Sequence, residues 1–135
     1  MARMQAVYYR DVAGVEPVDA FIDRLDPRVQ DEIDWHIDLL NGLEDHDPPL
    51  AFPHSSQVRG DLRELRCHYG RSLFRILYRR SDRLFVLLHA FEKRTGTVPP
   101  AEIGIAERRW EDLRSRMDAR PRRGLRAVGH DAPRR

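Results

Sequence analysis

Residues 62–103 read LRELRCHYGRSLFRILYRRSDRLFVLLHAFEKRTGTVPPAEI, and this stretch decides the fold. Strand-forming side chains recur in three short runs, Leu62–Cys67, Leu73–Arg79 and Leu84–Phe91. Turn formers separate them, Tyr69-Gly70 at the first connection and Ser81-Asp82 at the second. Such runs with short connections predict an antiparallel β-meander. Pro99-Pro100 then opens a helix that places Ile103, Ala106, Trp110 and Leu113 on one side. Glu107, Arg108, Glu111 and Arg114 cover the other side.

Working outward, Ala6-Val7-Tyr8-Tyr9 is rich in strand formers and predicts a first strand. Pro17 sits where a helix begins, and Val18, Phe21, Ile22 and Leu25 follow at helical spacing. Asp26-Pro27 ends that helix and starts the next, with Asp26 as N-cap. Val29, Ile33, Ile37 and Leu40 form its apolar side, and Asn41-Gly42 is a stop signal. His36 reads as an edge-of-core histidine. Residues 44–61 contain Pro48, Pro49 and Pro53 and read as a loop. The order is β-α-α-β-β-β-α. It predicts an α+β fold, an antiparallel sheet with a helical hairpin on one face and a C-terminal helix. Residues 1–118 form one domain in this reading, and the arginine-rich stretch 119–135 reads as a disordered basic tail.

Composition narrows the function. A charged fraction of 34% with 41% apolar residues suits a small, highly charged globule. No apolar run approaches the ~18 residues of a membrane helix. The N-terminus lacks the apolar centre of a secretory signal. Cys67 is the single cysteine, so an internal disulfide or a cysteine-based zinc site is excluded and a reducing cytoplasm fits. His46 and His54, with Asp45 and Asp47, make a loose cluster without metal-site spacing, so no metal is expected. The charge is polarised. Residues 11–48 carry twelve acids against two arginines, while residues 59–94 carry ten cations against four acids. A basic half suits a polyanion or an acidic partner.

The strand register places the cations. A two-residue loop at Ser81-Asp82 would pair Tyr78 with Phe85, Ile76 with Leu87 and Phe74 with His89. A turn at Tyr69–Ser72 would set Arg66 opposite Arg75 and Glu64 opposite Leu77. Directly opposed residues share a face. Glu64, Arg66 and Arg75 therefore gather on one face, away from Phe74, Ile76 and Tyr78. His89 goes to the apolar face as a packed, hydrogen-bonded histidine. Two adjacent arginines repel unless an anion lies between them, and Glu64 neutralises only one. The trio reads either as a network that ties the sheet or as a phosphate-binding groove. Lys93, the sole lysine among 24 cationic residues, would stand at its rim with Arg94. Tyr78 and Tyr69 are candidates to stack on a base, although Tyr78 fits the core equally well. Cys67 has no convincing partner beyond His68 and reads as a poor nucleophile.

The β-α-α-β-β-β-α order and the run LRELR…FRILYRR…LFVLLHAFEKRTGTVPPAEIGIAERR resemble the RelE/HigB superfamily of bacterial toxins. The resemblance is nearest to the phage-derived HigB-like branch and spans about residues 4–117. Glu64-Leu65-Arg66, Phe74–Tyr78, Leu87–Thr95, Pro99 and Glu102 carry it. It implies a RelE-like fold and a toxin of a toxin–antitoxin module. It implies cytoplasmic, ribosome-dependent endoribonuclease cleavage of messenger RNA without a metal or other cofactor, blocking translation. It also implies a helix-turn-helix antitoxin as partner. Arg75, Lys93 and Arg94 match the family's basic catalytic residues, and Arg66 matches an arginine of the preceding strand. Glu64, His68 and Lys93 are then the nearby candidates for the base. The same fold hosts gyrase-binding ParE-like toxins, and a degenerate antitoxin binder is a third possibility. The chain departs from the family pattern in two places. The C-terminal helix ends in Arg116-Met117-Asp118 without a histidine, and Thr95-Gly96-Thr97 stands where family members carry a tyrosine.

Overall fold

The structure, a computed structural model, describes residues 2–94, 96–119 and 125–129. Strand β1 (Gln5–Tyr8) leads into helices α1 (Pro17–Asp23) and α2 (Pro27–Asn41). Strands β2 (Ser55–Arg59), β3 (Leu62–Tyr69), β4 (Ser72–Ser81) and β5 (Leu84–Glu92) follow, and α3 (Pro100–Ala119) closes the order. The five strands form one sheet in the order β1-β5-β4-β3-β2. Its two faces are covered separately. Val18, Ile22, Ile33, Ile37 and Leu40 of α1 and α2 pack on Leu65, Phe74, Ile76, Tyr78 and Leu87. Ile103, Ala106, Trp110 and Leu113 of α3 pack on Leu62, Leu77, Val86 and Leu88. The helix starts are as the sequence implies, with the Asp26 carboxylate accepting from the Arg28 N–H at 2.8 Å.

Four features differ from the sequence reading. First, residues 55–59 are a strand rather than loop, pairing Ser55 with Leu65 and Ser56 with Glu64. Ser-Ser-Gln lacks strand propensity and apolar alternation. The open backbone edge of β3 supplies the pairing that the side chains do not advertise. Second, the sheet is mixed, because β1 runs parallel to β5. Local periodicity carries no information about which distant strand becomes the neighbour.

Third, the β4–β5 hairpin turns at Asp82-Arg83, with Ser81 opposite Leu84 and Asp82 at φ +56°. A bulge between Leu77 and Tyr78 then shifts the ladder. Tyr78 pairs with Leu87, Leu77 with His89, Ile76 with Ala90 and Arg75 with Phe91. One inserted residue moves everything beyond it to the other face. His89 therefore lies on the α3 face and not beside Phe74.

Fourth, part of the stretch read as a structureless tail is placed. The Tyr8 N–H donates to Arg126 O and the Val128 N–H to Ala6 O, at 3.0 and 2.9 Å. Val128 is buried in the core. An edge strand leaves backbone donors and acceptors to be satisfied, and residues 125–129 satisfy those of β1. The rest of that stretch, 120–124 and 130–135, lies outside the described residues. Asn41 ties this strap to α2. Its Oδ1 accepts from the Ala6 N–H at 2.7 Å, and its Nδ2 donates to Val128 O at 2.7 Å. Gly129 passes so close that a Cβ there would overlap the side chains of Asn41 and Asp38. Asn41→Ala orphans these groups and is expected to lower stability by about 1–3 kcal/mol. A urea midpoint unchanged from wild type would show that the strap contributes nothing.

Candidate functional site

Alternation along β3 and β4 sends Glu64, Arg66 and Arg75 toward the α3 face. Arg66 stands opposite Arg75, as the turn at Gly70 requires. Arg75 is 2% exposed, and Glu64 is also buried. Glu64 lies between the two guanidiniums, its Oε1 3.5 Å from Arg75 Nε and its Oε2 3.6 Å from Arg66 Nη1. Ser56, opposite Glu64 on β2, donates its hydroxyl to Oε2 at 2.8 Å. The strand that the sequence reading missed thus supplies the residue that orients the carboxylate.

These ion pairs are long. A charge-assisted N–H···O bond is normally about 2.7–2.9 Å. Among the described residues, Arg75 Nε and Nη1, Arg66 Nε and Glu64 Oε1 have no hydrogen-bond partner. One carboxylate serves two guanidiniums, so the trio carries an excess positive charge with unspent donors. Buried guanidinium N–H groups cost free energy unless an acceptor meets them. All four atoms are sealed from solvent, so the trio is a buried positive centre on one face of the sheet.

The rim is basic. The Lys93 N–H donates to Leu73 O at 3.1 Å, which brings the start of the loop after β5 to the first residues of β4. Arg75 lies two residues further along that strand. Lys93 and Arg94 are both exposed. His68, opposite Leu73 near the end of β3, is exposed as well. Thr95 lies outside the described residues.

Tyr78 does not belong to this site. It is 1% exposed on the α1–α2 face, its hydroxyl 2.6 Å from Ser55 Oγ. The ring packs edge-on against Phe85. The side chain belongs to the core under α1 and α2, on the other face of the sheet from Glu64, Arg66 and Arg75, which separates it from the other candidate RNA-binding residues. Cys67 is buried, and desolvation pushes its thiol well above the ordinary range, so it is no thiolate nucleophile. The loose histidine–aspartate cluster also divides. His46 pairs with Asp45 at 3.6 Å, while the His54 ring meets Trp35.

The bulge creates a second polar group. His89 Nε2 donates to Glu102 Oε2 at 2.7 Å. Arg109 Nη1 donates to Leu88 O at 2.9 Å and to His89 Nδ1 at 3.2 Å. Both ring nitrogens are therefore committed, with Nδ1 as acceptor. The Phe91 ring, whose residue pairs with Arg75, stacks on the His89 ring at 5.8 Å. Desolvation lowers the His89 pKa against the opposing pull of Glu102, so the neutral ring is favoured. His89 fixes the orientation of Glu102, a partly exposed carboxylate in the first turn of α3. Sequence reasoning missed this pair because a one-residue bulge decides it. The Leu87–Thr95 run and Glu102 enter the sequence reading only as parts of a resemblance.

Two histidines, His36 and His89, are held below the ordinary imidazole value of 6.5, chiefly by burial. Glu32 pulls the other way on His36, while His54 and His68 add to the lowering. The unfolded chain then binds protons that the folded chain refuses, so stability rises with pH in this window. The contribution is fully present above about pH 6.5 and is lost as pH falls below it toward the folded-state values. Thermal melts at pH 7.5 and pH 5.5 are expected to show the lower midpoint at pH 5.5, with a smaller difference in His36→Gln. A midpoint that rises on acidification would contradict this assignment.

The chain belongs to a known family. The Phage derived protein Gp49-like (DUF891) family matches residues 20–111, a span running from α1 through most of α3 and containing all the residues of this site. No curated protein matches the chain. No helix among the described residues is long and apolar enough to cross a membrane.

Proposed function

We propose that this member of the Gp49-like family is a toxin that cuts messenger RNA on the ribosome. The observation that carries the reading is the Glu64–Arg66–Arg75 trio, two guanidiniums on one carboxylate, with the exposed cations Lys93 and Arg94 after the neighbouring strand. Phosphoryl transfer concentrates negative charge on the phosphate oxygens. Fixed donors aimed at that charge stabilise the transition state more than the ground state. Arg75 and Arg66 supply fixed positive charge in the sheet, and Lys93 and Arg94 add exposed cations that can donate to the phosphate. In this reading the 2′-hydroxyl attacks the neighbouring phosphorus while Glu102, oriented by His89, takes its proton. The bond from phosphorus to the 5′-oxygen breaks, and that oxygen takes a proton from water. The products are a 2′,3′-cyclic phosphate and a 5′-hydroxyl. No metal has a place in this scheme. The partner assigned with it is a helix-turn-helix antitoxin that neutralises the toxin.

The test uses purified chain with bacterial ribosomes programmed with a defined message. Cleavage at discrete codons, with 5′-hydroxyl ends on the downstream fragments, supports the proposal. Intact message together with inhibited DNA supercoiling by gyrase would replace it with a gyrase-binding toxin.

A further inference from the structure

Phe52 is 69% exposed and Trp35 is 49% exposed, unusual positions for large aromatic side chains in a chain with a well-filled core. They belong to one feature beside the arginine pair. The loop before β2 is pinned to β3 by the Arg66 N–H, which donates to His54 O at 2.8 Å. The Arg66 guanidinium lies over the Phe52 ring, 5.2 Å from its centre. His54 meets Trp35 edge-on at 6.0 Å, and both contact the His36 ring. The same Arg66 is ion-paired with Glu64, which also pairs with Arg75. A continuous path therefore runs from the buried Arg75 through Arg66 to the exposed ring of Phe52.

We propose that Phe52 is a stacking platform for an unpaired RNA base, placed by Arg66 next to the arginines that hold the adjoining phosphate. The inference rests on the RNA-cutting reading for its ligand. Burial of a phenylalanine is favourable, and the fold leaves this one in water. One face of the ring is occupied by a guanidinium, which leaves the other to a flat partner. A nucleobase is flat and π-rich, and single-strand binders combine aromatic platforms with backbone-tracking cations in this way. An apolar protein partner would use the ring as well. It would have no use for the positive charge of the Arg66–Arg75 pair, which the single Glu64 carboxylate offsets only in part, whereas a nucleotide offers a base to the ring and a phosphate to that charge.

The experiment measures binding of the full chain to a fluorescently labelled, unpaired octanucleotide with 2′-O-methyl sugars, which block cleavage. Anisotropy is read over a range of salt concentrations for wild type, Phe52→Ala, Phe52→Tyr and Arg75→Ala. Phe52→Ala is expected to weaken binding by about 5- to 150-fold, the loss of one stacked base. Its dependence on salt should match wild type, because no phosphate contact is removed. Phe52→Tyr keeps the ring and should bind like wild type. Arg75→Ala should weaken binding and also flatten the salt dependence. If Phe52→Ala binds as wild type does while Arg75→Ala does not, the stacking inference is overturned and the RNA reading stands. If wild type binds no oligonucleotide, the stacking inference is overturned, while the ribosome-dependent reading stands or falls on the programmed-ribosome assay. If Phe52→Ala binds RNA normally but no longer arrests growth on expression, the ring docks a protein and the stacking inference is again overturned.

Discussion

Arg75→Ala is expected to slow cleavage of ribosome-bound messenger RNA by at least about 100-fold, the usual cost of removing one fixed electrostatic stabiliser of a transition-state oxyanion. The substitution leaves Glu64 with Arg66 and Ser56, so its remaining partners persist. The protein should accordingly fold, and its thermal midpoint provides the check. Arg75→Lys should recover little of the rate. An ammonium keeps the charge but lacks the planar fork that Arg75 presents beside Glu64. Single-turnover cleavage on programmed ribosomes measures both variants. A rate within threefold of wild type for Arg75→Ala would remove this guanidinium from the chemistry.

The second large effect concerns folding. Glu64 is the carboxylate that Arg66 and the buried Arg75 share. Glu64→Ala should destabilise the protein by about 3–5 kcal/mol, because it strands a buried charge without compensation. Replacing the buried pair, with Glu64→Leu and Arg75→Met together, should restore most of that loss, since apolar groups of similar volume need no partner and Arg66, the third member, is partly exposed. That double variant should fold and be inactive. Urea denaturation measures the series. A loss below about 1 kcal/mol for Glu64→Ala would show that water reaches the trio, which surface pairs of that size imply.

Much of this geometry is legible in the chain, for reasons that differ by residue. Arg66 faces Arg75 because the turn at Gly70, at φ +58°, leaves only one register between two strongly patterned strands. The apolar side of α2 repeats at helical spacing, and Asp26-Pro27 marks its start. The face carrying Glu64, Arg66 and Arg75 follows from alternation alone. His89 does not, because nothing in Leu87-Leu88-His89 marks the bulge that moves it. Its bond to Glu102 joins residues brought together by the packing of α3, which no local pattern encodes. Strand β2 and the strap 125–129 escape for a related reason. Both are built on open strand edges, where backbone pairing does the work and the side chains carry little signal. Ser56 and Phe52, which flank the arginines, therefore come into view only in the structure.

The most direct test of the central claim is primer extension on a cellular message after brief induction of the chain, compared with Arg75→Ala and Lys93→Ala expressed at equal levels. Discrete stops within translated codons, present for wild type and lost in both variants, are the expected result. Growth arrest by wild type without any new stop on the message would contradict the account, because the basic site would then serve something other than RNA cleavage.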